Sequence, residues 1–279
     1  MDNYVTCITN IYNEEYLLPF WLNHHKNIFD KIIIVDHHST DNSVKICKEI
    51  IPGCTIIPHP SKEFASKEHD IYLMKLEEKI KGIKIILNTT EFLFCSRSIK
   101  EIFSLKKKRN KALCIIAYSP YSLKEYNPKN NYELYYNLMN KDIKFHKDRE
   151  GGRYLHNYPN GNYEIGRHIT YHNFENTNEL FIVWFGYYPL NDNLIQRKLQ
   201  IKDNIPITDR NPRPGFPMGF AWQHFFSKNK LLEINNSKSK SGLLLKNINM
   251  PLFDIIHRYT IDLSCKSPYQ KTYLSNFYK

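Results

Sequence analysis

The sequence predicts an α/β fold in which a mostly parallel sheet is flanked by helices. Through the first 120 residues, apolar strand-like segments alternate with helix-like segments at short spacing, as in chains of β-α-β units. One such segment, 32–35, joins four branched apolar residues without a polar break, the pattern of a strand buried on both faces. It ends at Asp36, and a polar turn leads into a helix-patterned segment at 44–50.

The position of Asp36 suggests a ligand site. Open α/β sheets bind ligands at the carboxyl ends of their parallel strands, and Asp36 directly follows a predicted strand. The alternative is that Asp36 only caps the turn, just as Asp41, Asn42 or Ser43 is placed to cap the helix after it.

The remaining elements of the first half follow from local pattern. Asn13, Glu14 and Glu15 suit the first turn of a helix because acidic groups there complement the helix dipole. Pro58 and Pro60 end the third strand. We predict strands at 4–11, 32–35, 54–57, 84–87 and 113–118, and helices at 13–25, 44–50 and 66–80.

The second half differs in composition, being rich in Tyr, Asn, His, Pro and Gly. We predict a strand at 181–185, helices at 193–200 and 251–259, and a loop at 235–241. No internal repeat or clear linker separates the halves. We therefore expect a single domain over residues 1–279, with the smaller C-terminal region lying over the binding edge of the sheet.

Hydropathy and the cysteine pattern indicate the cellular compartment in which the protein is expected. No run of about 18 apolar residues predicts a membrane span. The first residues lack the basic and apolar segments of a secretory signal, and the six cysteines include no C-x-x-C pair. We expect reduced thiols and a cytoplasmic location, at most peripheral to a membrane surface.

The net charge of +11 calls for an anionic partner, which leaves nucleic acid, an anionic membrane surface or a phosphate-bearing substrate. The basic run at 106–109 has no interleaved aromatic residues for base stacking, and no nucleic-acid-binding motif is present. We expect no nucleic-acid partner. No G-x-G-x-x-G follows the first strand, which disfavours a dinucleotide-dependent oxidoreductase.

Polar groups follow three of the predicted strands, at residues 10–14, 36–41 and 88–91. In a parallel sheet these groups converge on one edge, where converging polar groups on an apolar scaffold define the default binding site.

These segments read NEEYL at 13–17, VDHHSTD at 35–41 and LNTTEFL at 87–93. In order and spacing they resemble the family 2 glycosyltransferases with the GT-A fold, a Rossmann-type architecture, over about residues 4–120. A looser similarity to a branch of that superfamily continues at Arg153, 166–168, 197–198, Gly219 and His224.

The resemblance implies transfer of a sugar from a nucleotide-sugar, with a UDP-sugar as the expected donor, to a hydroxyl of a glycan, lipid-linked or protein acceptor. Residues 1–120 would bind the donor and 121–279 the acceptor. By position, Asn10, Asn13, Glu14 and Asp36 would hold the nucleoside. A carboxylate can accept hydrogen bonds from the uracil N3–H or a ribose hydroxyl.

The sequence departs from the family where an Asp-x-Asp normally holds a divalent cation on the diphosphate. Asn88 and Thr90 replace both aspartates, and only Glu91 retains a charge. Three alternatives remain: Mn²⁺ or Mg²⁺ held by Glu91, Asn88 and a histidine such as His168 or His224; basic side chains such as Lys62 or Lys67 in place of the cation; or an inactive protein that binds nucleotide-sugar or glycan.

An inverting transfer needs a carboxylate that deprotonates the acceptor hydroxyl. Glu150, Glu164 and Asp209 lie in polar or Gly/Pro-rich loops and are candidates, each with the alternative of being a solvated loop residue. We assign the catalytic role to Glu164 and to Glu91 of the altered motif.

Overall fold

The computed structural model describes residues 4–106, 111–147, 152–210 and 227–265. The first of its two sheets is formed by four parallel strands in the order β3-β2-β1-β4. Its strands are β1 (Val5–Ile11), β2 (Lys31–Asp36), β3 (Thr55–Pro58) and β4 (Ile83–Asn88). These correspond to the first four predicted strands, and the α/β class with a parallel sheet is confirmed.

The second sheet has the strand order β5-β9-β6-β7, with β8 also pairing with β6. Only β6 and β9 run parallel; its other pairs are antiparallel. Its strands are β5 (Glu91–Cys95), β6 (Ala112–Tyr121), β7 (Lys144–Lys147), β8 (Arg153–Leu155) and β9 (Phe174–Trp184). The predicted strand at 113–118 is therefore present but lies in this sheet, because β8 and the long β9 pair with it.

Helices cover both sheets, and a 3-10 helix (Gln200–Asn204) follows the sixth. The helices are α1 (Leu18–His25), α2 (Ser43–Ile50), α3 (Ser66–Glu77), α4 (Ile99–Lys106), α5 (Asn131–Leu138), α6 (Asp192–Leu199), α7 (Ile207–Arg210), α8 (Lys228–Ser241), α9 (Leu245–Ile248) and α10 (Met250–Cys265). None of the described helices has the length and apolar character needed to cross a bilayer.

Two local predictions were wrong. The first helix starts at Leu18 rather than at Asn13, because Asn13 takes a left-handed conformation (φ 50°) and the loop bonds to the segment after β2. The predicted loop at 235–241 is the second half of α8. That helix buries Leu231, Asn235 and Ser239 at four-residue spacing, so its inward face carries too few apolar residues for a hydrophobic period.

One buried apolar cluster joins the two halves of the chain. It includes Val5 of β1 and Trp21 of α1 together with Leu134 of α5, Ile182 of β9 and Ile255 of α10. The second half therefore packs on the same core that supports the parallel sheet.

Candidate functional site

The ends of β1, β2 and β4 lie side by side. Parallel pairing sets Ile11 opposite Asp36 and Asn10 opposite Asn88. We call this boundary of the first sheet, formed by Asn10, Asp36 and Asn88, the strand-end edge. The Asn10 side-chain oxygen is buried there and has no hydrogen-bond partner within the described parts of the chain. A buried acceptor without a partner is costly unless a ligand or water completes it.

Asn13 ties the loop after β1 to the loop after β2. Its side-chain oxygen accepts hydrogen bonds from the backbone N–H groups of Thr40 (2.7 Å) and Asp41 (3.3 Å). Its own backbone N–H donates to Ser39 Oγ at 3.1 Å. Asparagine tolerates the left-handed backbone required here. Asn13 thus fixes the relative position of the two motif loops.

Asp36 caps the turn that follows β2, since its Oδ1 accepts from the Ser39 backbone N–H at 3.0 Å. This is the turn-capping role that the sequence left open. The side chain is only half-buried, and its second oxygen makes no hydrogen bond to any described residue. Turn capping and ligand binding are therefore compatible at Asp36.

Glu14 is buried and paired with Arg197 of α6. Arg197 Nη2 donates to Glu14 Oε1 at 2.5 Å and also reaches Thr89 Oγ1 at 3.3 Å. The Glu14 backbone N–H donates to Ser43 Oγ at 2.7 Å. Glu14 therefore brings a guanidinium to the strand-end edge, beside the altered motif.

The altered motif is contacted by a second arginine. Arg167 Nη2 donates to the Asn88 side-chain oxygen at 2.7 Å, and Arg167 is itself paired with the buried carboxylate of Asp70 in α3. Thr90 Oγ1 accepts from Trp184 Nε1 at 3.1 Å. The side-chain oxygens of Asn88 and Thr90, which stand in place of the missing aspartates, thus both accept hydrogen bonds from other side chains of the protein.

Glu91 forms a buried ion pair with Arg153 of β8. Arg153 Nη2 lies 2.7 Å from Oε1, and Arg153 Nε donates to Oε2 at 2.9 Å. Oε2 also accepts the Asn88 backbone N–H at 2.8 Å. Burial alone would raise the pKa of Glu91, but Arg153 and the Asn88 N–H hold it below its ordinary value, with a smaller contribution from His168.

The side chains at 88–91 offer few free oxygens to a hard divalent cation. Such ions bind carboxylate and carbonyl oxygens that are free to coordinate them. At 88–91 both Glu91 oxygens are held by Arg153, and the Asn88 oxygen faces Arg167. These side chains, as arranged, do not fit such a cation, and the geometry favours basic side chains over a metal at this motif.

The other predicted site residues lie outside the strand-end edge itself. Lys62 and Lys67 are exposed after β3, and Glu164 and His168 are exposed in the turn between Tyr163 and Thr170. Asp209 is buried and accepts the Ser66 backbone N–H at 2.8 Å, capping the start of α3. His224, Glu150 and Gly219 lie outside the described residues.

Pairing of the site arginines with specific carboxylates could not be read from sequence. Arg153, Arg167 and Arg197 are 62, 97 and 183 residues from Glu91, Asp70 and Glu14. All three arginines lie at positions of the looser family resemblance, and that resemblance was the available signal in the sequence.

The burial of Lys198 was also not predicted. Its Nζ lies 4.2 Å from the centroid of the Tyr187 ring, and burial lowers its pKa to about 7.

Three buried histidines, His37, His59 and His69, also meet beside Asp36 and form the group in the described residues that could hold a metal ion. A cavity of about 680 Å³ lies elsewhere, between α1, α5 and α10, and none of the predicted site residues lines it.

A comparison with known protein families matches the segment that contains Asn10 and Asp36 of the strand-end edge. Residues 6–67 match the family model for glycosyl transferase family 2. The matched segment runs from β1 into α3 and contains Asn10, Asn13, Glu14 and Asp36. The resemblance found in the sequence is confirmed. A comparison with curated proteins returns no match.

Comparison with solved structures returns weak similarity to glycosyltransferases. TarS of S. aureus (residues 1–349) is 15% identical with a TM-score of 0.31, covering 46% of this chain and 37% of that one. Glucosyl-3-phosphoglycerate synthase of Mycobacterium tuberculosis is 14% identical with a TM-score of 0.26, covering 32% of this chain and 34% of that one. It was crystallised with Mn²⁺, UDP and glucosyl-3-phosphoglycerate. Core-mannan synthase A of Aspergillus fumigatus, in an Mn/GDP form, is 10% identical with a TM-score of 0.28, covering 43% of this chain and 42% of that one.

The chain thus spans about two fifths or less of the length of these structures. Similarity at these TM-scores carries no inference about substrate or mechanism.

Proposed function

We propose that this chain transfers a sugar from a nucleotide-sugar donor, with a UDP-sugar as the first candidate, to an acceptor hydroxyl. The observation that carries the proposal is the meeting of the family-matched loops at the strand-end edge, where Asn10 offers a buried oxygen without a partner and Asp36 a free oxygen. Two acceptor oxygens at the carboxyl end of a parallel sheet suit the N–H and hydroxyl groups of a nucleoside.

In this proposal the diphosphate lies beyond the nucleoside, next to Asn88 and Thr90. The guanidinium groups of Arg167 and Arg197 contact Asn88 and Thr89 there. Their charge would stabilise the departing diphosphate in place of a carboxylate-bound cation. Lys62, exposed after β3, is a further candidate cation, and its backbone oxygen accepts from His37, the residue after Asp36, at 3.1 Å.

Glu164 is the proposed general base. It is exposed in the turn that also carries Arg167, whose backbone N–H donates to the Glu164 carbonyl at 2.9 Å. The proposal is supported by the position of Glu164 in the same turn as Arg167, which contacts Asn88, and by its exposed side chain, which an acceptor could reach. Glu91, whose oxygens are held by Arg153, is proposed to position Asn88 rather than to move a proton.

The proposal is tested by donor turnover. Purified protein incubated with UDP-glucose, UDP-N-acetylglucosamine and UDP-galactose is expected to release UDP from at least one, by transfer or slow hydrolysis, in EDTA as well as in Mn²⁺. Glu164→Gln should reduce transfer while leaving UDP binding intact. UDP binding without release from any donor would instead identify a non-catalytic nucleotide-sugar-binding protein.

A further inference from the structure

Three histidines from separate elements are brought together beside the strand-end edge. His37 follows β2, His59 follows β3, and His69 lies in the first turn of α3. Each is buried, with 1, 3 and 2% of its surface exposed. The ring centroids of His37 and His59 are 4.3 Å apart, and those of His59 and His69 are 5.1 Å apart.

Each ring presents a nitrogen that has no partner. His37 Nδ1, His59 Nε2 and both nitrogens of His69 are buried without a hydrogen bond to any described residue. One ligand atom from each ring lies within 4.8 Å of the others. Buried polar atoms are normally satisfied, so several unsatisfied nitrogens at one point require an explanation.

The opposite nitrogens of two rings are held by backbone carbonyls. His37 Nε2 lies 3.1 Å from the Lys62 carbonyl oxygen, and donation of its N–H there leaves a lone pair on His37 Nδ1. His59 Nδ1 lies 3.0 Å from the Ser61 carbonyl oxygen and 3.1 Å from the Ser61 backbone nitrogen, so Ser61 orients the ring and leaves Nε2 facing the other two histidines. Metal-binding histidines are commonly oriented in this way.

The three rings are buried against one another, and burial favours the neutral form of an imidazole. Neutral imidazoles have a lone pair for a cation at pH 7.

We propose that His37, His59 and His69 form a binding site for a divalent transition-metal ion of the zinc class. Three imidazoles suit Zn²⁺, which tolerates three protein ligands and leaves a fourth position for water or another oxygen. Nitrogens of a tetrahedral zinc site lie about 3.3 Å apart, so the three ligand atoms, which lie within 4.8 Å of one another, would move closer together around the ion.

This site differs from the altered motif at 88–91 in position and in chemistry. Its ligands are nitrogens, and it joins the ends of β2 and β3 to α3. Asp70, next to His69, is paired with the Arg167 guanidinium, and its Oδ2 accepts the Gly166 backbone N–H at 2.7 Å. A bound ion would therefore fix the helix that anchors one of the arginines at the strand-end edge.

The test is metal binding by the full, untagged chain in the absence of nucleotide, which separates this site from donor binding. After removal of metals with 1,10-phenanthroline and dialysis, Zn²⁺ calorimetry should give one equivalent per chain. His59→Ala should weaken the affinity by about 100-fold or more, whereas His146→Ala, a histidine bonded to the Lys238 carbonyl, should leave it unchanged. Equal affinity in His59→Ala and the parent would overturn the proposal.

Cobalt provides a second measurement. Co²⁺ added to the parent should give the visible bands of a four-coordinate site, and His59→Cys should retain the ion and add a sulfur-to-metal charge-transfer band in the near ultraviolet. If the parent binds neither Zn²⁺ nor Co²⁺ stoichiometrically, the three histidines are a structural cluster and the proposal fails.

Discussion

Arg153 holds both carboxylate oxygens of Glu91, at 2.7 and 2.9 Å, inside the protein and directly behind Asn88. The Asn88 backbone N–H completes the arrangement at 2.8 Å. The charge that the altered motif retains is therefore neutralised by an arginine of the same sheet, since Glu91 begins β5 and Arg153 lies on β8. The hydrogen bond from Asn88, the last residue of β4, links this pair to the first sheet at the point where the proposed diphosphate would lie.

Glu91→Gln should destabilise the protein by about 3–5 kcal/mol, because removal of one partner leaves Arg153 as an uncompensated buried charge. Urea denaturation followed by circular dichroism measures this change. Replacement of both partners, as Glu91→Leu with Arg153→Met, should cost less than the single change. Glu49→Gln, which removes an exposed pair with Lys45, is the control and should leave the urea midpoint unchanged. A Glu91→Gln protein as stable as its parent would show that the pair contributes nothing.

Asn88→Asp should not create a requirement for Mn²⁺. The new carboxylate oxygen would lie 2.7 Å from Arg167 Nη2, and a charge-assisted hydrogen bond to the guanidinium would occupy it. UDP calorimetry in Mn²⁺ and in EDTA should give equal affinities for this variant. Asn88→Asp combined with Thr90→Asp and Arg167→Met should bind UDP more tightly in Mn²⁺. A Mn²⁺ requirement in the single variant would contradict the role given to Arg167.

Stability should fall as the pH drops from about 7 to 5. Burial lowers the pKa of His24 to about 4, and that of His25 lies well below its ordinary value because of burial and the neighbouring ring. His25 Nε2 accepts the Leu93 backbone N–H at 3.1 Å, a bond that protonation would break. The unfolded chain binds more protons in this range, so acid favours unfolding.

For His24 alone, the loss between pH 7 and pH 5.5 is about 1.2 kcal/mol. Urea denaturation at a series of pH values measures this dependence, and His24→Gln should reduce its slope relative to the parent. Equal unfolding free energies for the parent at pH 7 and pH 5.5 would contradict the burial of neutral histidines.

The parallel sheet could be predicted because its signals are local. Branched apolar runs such as Ile32 to Val35 and the polar residues after them determine both the strands and the edge where their ends meet. Of the second sheet, strands were predicted at 113–118 and 181–185, within β6 and β9, but their pairing was not. Strand β5 begins at Glu91, within the altered motif, and its pairing with β9 joins residues about 90 apart.

The same limit applied to the site. Asn13 and Asp36 could be proposed from the sequence because each follows a predicted strand, whereas the partners of Glu14 and Glu91 depend on contacts between distant segments. The histidine cluster was missed because His37, His59 and His69 show no metal-binding spacing in the sequence. Only the folding of β2, β3 and α3 brings them together.

The most direct test of the central claim, that the strand-end edge binds the donor nucleotide, is UDP calorimetry on the parent, Asp36→Ala and Asp254→Ala. Asp254 is an exposed aspartate on α10, remote in sequence from the matched segment, and serves as the control. The account predicts that UDP binds the parent and Asp254→Ala equally and that Asp36→Ala loses about 10-fold or more in affinity while remaining folded. Equal UDP affinity in all three proteins, or no binding to the parent, would contradict it.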